Sequence, residues 1–153
     1  MSGLTAMTKR DRRGEVNLIS FWPMVSVSEL NRDYRIYSAI SDEQCLKSLE
    51  IAYIVVTDAL DEYAEAKERE GITKLEDLTN DRERFRQIKL FKEAVYSLAK
   101  QKINEEYIDV DLARKPGQDV KEAVNDSTLT LNADYNMAIR RFLGQPASSV
   151  ALI

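Results

Sequence analysis

"SDEQCLKSLEIAYIVVTDALDEYAEAKEREG", residues 41–71, decides how the rest of the chain is read. Leu46, Leu49, Tyr53, Val56, Leu60 and Tyr63 fall 3-4-3-4-3 apart, the apolar seam of a helix packed at a shallow angle on its neighbours. Ser41 followed by Gln44 makes a capping box, and Gly71 supplies a stop. The spacing predicts one long helix from about Asp42 to Glu70, ~40 Å at ~1.5 Å per residue. Its middle, Ile51 to Val56, is apolar all round. The β-branched residues there would allow a strand, but the seam on both sides favours the helix. A helix apolar on every side is covered on every side. Ile51, Ile54 and Val55 therefore either lie inside the chain's own bundle or meet a second subunit.

Outward from this helix, glycine and proline punctuate the chain. "GITKLEDLTNDRERF" at 71–85 is a connection with caps on offer at Thr79, Asn80 and Asp81. A second helix is expected from roughly Asp81 to Tyr107, with Phe85, Ile88, Phe91, Val95 and Leu98 on one face. Pro116-Gly117 ends that section. A third spans about Asp119 to Leu143, with Val120, Val124, Leu131, Tyr135, Ile139 and Phe142 inward. "NDSTLTLN" at 125–132 is a poor helix former, and a break can fall there. Upstream, Val25 to Arg35 reads as one short helix entered through "FWP" at 21–23. The fold class expected is all-α: a helical bundle of three long helices plus a short leading helix. One domain, 21–144, lies between a flexible N-terminal arm at 1–20 and an extended C-terminal docking tail at 145–153.

Composition agrees and excludes much. The 153 residues are 44% hydrophobic and 31% charged, with five Gly and three Pro, few for an all-β fold of this length. Lys9, Arg10, Arg12 and Arg13 with Asp11 net +3, so the remainder of this −4 chain carries −7. That balance argues against a general nucleic-acid binder. The basic cluster reads as a solvated arm, or one that touches phosphate or an acidic partner. The single Cys45 rules out an intrachain disulfide and suits a reducing compartment. With no secretory leader and no apolar run of membrane length, the cytosol is expected and a membrane is not. There is no His, which removes the commonest general base, the usual triads and His-bearing metal sites. No P-loop or G-x-G-x-x-G occurs. Asp58, Asp61, Glu62 and Glu65 flank the apolar seam as a solvated helix face does. No enzyme, no cofactor and no metal is expected.

The end of the sequence poses its own question. "SSVALI" at 148–153 follows Gly144-Gln145-Pro146, and no charged residue occurs after Arg141. Val150, Ala151, Leu152 and Ile153 either dock back on the chain's own domain or serve another molecule.

Four stretches in order carry a resemblance: G-I-T-K-L-E-D-L at 71–78, F-K-E-A-V-Y at 91–96, E-x-Y-x-D-x-D at 105–111, and A-I-R-R-F-L-G at 138–144 with the terminal V-A-L-I. Together with F-W-P-M-V-S-V at 21–27, they resemble the head completion protein (GPL) family of contractile-tailed phages over residues 21–153. The resemblance implies a structural virion protein at the head–tail interface, assembled in the host cytoplasm. Such a protein adds to the capsid vertex after DNA packaging, binds the portal protein and stabilises the filled head. It also prepares the head for a downstream head–tail joining or tail terminator protein. It implies a helical bundle arranged with neighbouring copies in a ring, usually of twelve, around a channel through which DNA passes without specific binding. Extended C-terminal segments of related connectors reach into the portal. On that basis Val150 to Ile153 are candidate portal-binding residues, paired as an added strand, and Arg140 and Arg141 candidate portal contacts. The two arginines equally suit the dipole at a helix C-terminus. Ile51, Ile54 and Val55 are candidate contacts between copies. Two other readings stay open: a small helical adaptor or regulatory protein that dimerises through the 46–63 seam, and a helical DNA binder using the basic arm.

Overall fold

The computed structural model describes residues 11–112 and 118–146. Two short strands, β1 (Glu15–Val16) and β2 (Val25–Ser26), pair antiparallel with Val16 opposite Val25. Five helices follow: α1 (Val27–Tyr34), α2 (Asp42–Ala59), α3 (Asp61–Arg69), α4 (Asp81–Leu112) and α5 (Gln118–Phe142). A 3₁₀ turn at Leu75–Asp77 precedes α4. The chain is mostly helical, in keeping with an all-α class.

Local chemistry sets the helix ends where expected. The Ser41 hydroxyl accepts from the Gln44 amide at 3.2 Å while the Gln44 side chain accepts from the Ser41 amide at 3.0 Å, which completes the capping box of α2. Ser26 caps α1 by accepting from the Glu29 amide. At the far end of α5, the Gly144 amide donates to Arg141 O and the Gln145 amide to Arg140 O. That paired 5→2 and 6→1 bonding needs a left-handed residue, and Gly144 takes φ +71°.

α4 is the central element, packed along α5 and against α2 and α1. The core closes on aromatic rings. Trp22 stacks on Phe91 with centroids 4.8 Å apart and also meets Phe21, Tyr63 and Phe142. Tyr53 meets Phe91 edge-on at 5.8 Å. The "FWP" entry is thus a core anchor, not merely a lead-in to a helix.

Three expectations change, and one possibility left open is closed. The single long helix over 42–70 is two helices, because Leu60 leaves helical geometry at φ −108°, ψ 12°. Thr57 takes the Ile54 carbonyl with its own hydroxyl at 3.1 Å, a local competition that bends helices. Beyond the break, Tyr63 turns onto Trp22 and Phe142. The break allowed at 125–132 does not occur, and α5 is continuous through it. Phe85 is not on the buried face: it is 73% exposed, whereas Phe91 and Val95 are fully buried. Six residues before Phe91, it is rotated roughly 120° around the helix from that ring. Finally, residues 11–20 are not a free arm. Val16 is buried, the Val27 amide donates to Gly14 O, and the Arg12 guanidinium is enclosed by the start of α2. Backbone pairing and a nearly buried charge both require this segment to stay in place.

Candidate assembly surfaces

Three surfaces stand out, built from α2, from α4, and from the end of α5. On α2 the seam proper is used internally: Leu49, Tyr53, Val56 and Leu60 are at most 1% exposed. A dimer through that seam would have to open the core. What α2 turns outward is Ile51, Ile54 and Val55, which are 40%, 47% and 39% exposed. Glu50 and Asp58 are exposed beside them, and Lys47 lies one turn before. The three residues chosen from sequence are therefore brought together as one outward stripe.

The first half of α4 has an outward face that the periodicity missed. Phe85 projects from it, with Arg82, Arg86 and Lys89 exposed around the ring and Glu93 one turn on. The available signal was the recurrence of cations at 82, 86 and 89, which places them on one face together with Phe85. Between this helix and α1 runs an open groove of about 630 Å³, lined by Tyr34, Phe85 and Ile88 and by charged groups including Arg32, Lys89 and Glu93.

Behind the groove, Glu29 accepts hydrogen bonds from the Tyr96 hydroxyl and from Lys92 Nζ at 3.1 and 3.2 Å. Burial works to raise the Glu29 carboxyl, but the Tyr96 and Lys92 hydrogen bonds and the Lys92 charge outweigh it and hold the group below its ordinary value. Burial and the bond to Glu29 push the Tyr96 phenol far up. Burial, helped by Glu93, Asp134 and Asp33, raises the Tyr34 phenol to about 12. None of these groups titrates near neutrality. The network docks α1 on α4.

The third surface surrounds the exit of the C-terminal tail. α4 reaches across to the end of α5: Gln87 Nε2 donates to Phe142 O at 3.1 Å and Arg86 to Arg141 O at 2.8 Å. Arg141 is exposed and Arg140 half-buried. Three cations thus stand where α5 leaves its last carbonyls, and the helix dipole favours them there whatever else they touch. Val150, Ala151, Leu152 and Ile153 lie outside the described residues.

Elsewhere the chemistry is quiet. Burial raises the Cys45 thiol, with the Arg12 guanidinium 3.5 Å from its sulfur. Among the described residues there is no cluster of His, Cys, Asp or Glu that could hold a metal, and no helix is long and apolar enough to cross a membrane. A family model described as phage head completion protein (GPL) matches residues 16–153. The match begins at Val16, the buried residue of β1, five residues before the stretch that carried the resemblance. No curated protein and no solved structure matches the chain.

Proposed function

Since the chain belongs to the phage head completion protein (GPL) family, and so to structural proteins of the virion, we propose that it is a head–tail connector subunit that binds the portal ring after DNA packaging. It stabilises the filled head and presents a surface to the next protein of the tail. Copies sit side by side in a ring, twelve in the usual arrangement, around the DNA channel. The C-terminal tail, residues 145–153, docks on the portal through Val150, Leu152 and Ile153, with Arg140 and Arg141 as further contacts. The observation that carries this reading is a family match running through residue 153, so that it takes in the apolar tail as well as the helices. The acidic body fits a wall past which phosphate must slide without sticking.

The test is co-sedimentation with the portal ring of the same phage, using the full chain and a chain ending at Pro146. Ending there keeps the Gln145 amide on Arg140 O, so the cap of α5 survives the truncation. Binding by the full chain and not by the shortened one, both shown to be folded, supports the reading. Absence of binding by either, to a portal competent for other partners, overturns it.

A further inference from the structure

The outward stripe of α2 cannot pair well with itself. A two-fold contact centred on Ile54 sets Glu50 of one copy against Asp58 of the other, twice, and like charges so placed repel. The outward face of α4 has the opposite pattern. Laid antiparallel with Phe85 over Ile54 and Val55, it sets Arg82 against Asp58, Lys89 against Glu50, and Glu93 against Lys47. All six charged residues are exposed. The signs run cation, anion, apolar, anion along α2 and are met by anion, cation, apolar, cation along α4.

The two faces are also free to act at once. Each lies on the side of its helix away from the Tyr53–Phe91 contact that joins α2 to α4 in the core. From this we infer that one copy's α2 stripe receives the Phe85 face of α4 from a second copy, in a heterologous contact. Such a contact leaves one unused face on each end copy, so it propagates into a closed ring or an open row as its rotation dictates. Phe85 supplies the desolvated anchor and the charge pairs fix direction and register. The inference rests on the reading of the chain as an assembly subunit but does not require the portal.

Cysteine capture without the portal tests it. The chain carrying Val55→Cys is mixed under oxidised glutathione with the chain carrying Arg86→Cys, an exposed position beside Phe85 that leaves the anchor ring in place; Cys45 is fully buried and stays out of the reaction. The mixture is expected to form a mixed disulfide dimer at least about tenfold faster than either chain alone. Asp58→Lys on the first chain should slow capture severalfold, and Arg82→Glu on the second should restore it. Capture of the Val55→Cys chain by itself as fast as the mixture would overturn the inference in favour of a two-fold contact. No capture in the mixture, from chains with native circular dichroism, would overturn it outright. Because the portal is absent, either result is independent of the portal-binding experiment.

Discussion

Gly14 and Gly71 both take positive φ, yet their surroundings make them different residues. At Gly14, φ +136°, an added Cβ would come 3.0 Å from Val27 Cγ2 and 3.1 Å from Leu46 Cδ1. At Gly71, φ +91°, it would meet nothing within 4 Å. Gly14→Ala adds overpacking against Val27 of α1 and Leu46 of α2 to backbone strain and is expected to cost about 2–4 kcal/mol. Gly71→Ala carries the backbone strain alone, about 1 kcal/mol. Urea unfolding of the two variants, with unchanged slopes, checks both size and order. From sequence, Gly71 was legible as a helix stop because an apolar seam ends before it. Gly14 was not, since its need for a bare Cα comes from Val27 and Leu46, residues 13 and 32 positions away.

Single elements were legible wherever their determinants are local. The capping box at Ser41, the start of α4 and the glycine stop of α5 follow from residues within a turn of each other. Phe85 was misplaced because α4 is long and its buried side is set by neighbours. At its first turns α4 packs against the end of α5 through Gln87, which leaves Phe85 to solvent. The docking of α1 on α4 likewise rests on a pair 67 residues apart, Glu29 and Tyr96. Its folded-state carboxyl pKa lies below the ordinary 4.5. The stabilisation is therefore fully present above that unfolded value and is lost as pH falls through the lower folded-state value. Glu29→Gln is expected to cost about 1–2 kcal/mol at neutral pH, where a charged acceptor is replaced by a neutral one. Below pH 4 the gap between variant and parent should narrow. Thermal unfolding across pH 3–7 follows it; a gap that stays constant would refute the assignment.

At the scale of the whole molecule, the Arg12 side chain ties the stretch just before β1 to residues far along the chain. Arg12 donates to Ile40 O at 2.7 Å, to Tyr37 O at 2.8 Å and to Asp42 Oδ1 at 3.2 Å. Its side chain is only 9% exposed. Arg12→Ala strands two carbonyls and a carboxylate and is expected to cost about 2–4 kcal/mol. Arg12→Lys recovers part of this, because one ammonium cannot reproduce the fork that spans both carbonyls. Hydrogen exchange at the Val27 amide, bonded to Gly14 O, should rise in the alanine variant by more than the global loss alone explains. Reading the basic cluster as one solvated unit failed at this residue, since a charge run says nothing about carbonyls some 25 residues away.

The sequence by itself determined the all-α class, the ends of most helices and the family, because capping, periodicity and residue order are properties of neighbouring positions. Tertiary structure decided where Tyr63 turns after Leu60, the anchoring of Arg12, the exposure of Phe85 and the outward placement of the charged faces of α2 and α4. Each of those depends on which surfaces meet across the core, and burial is settled by the whole packed arrangement and not by any one helix.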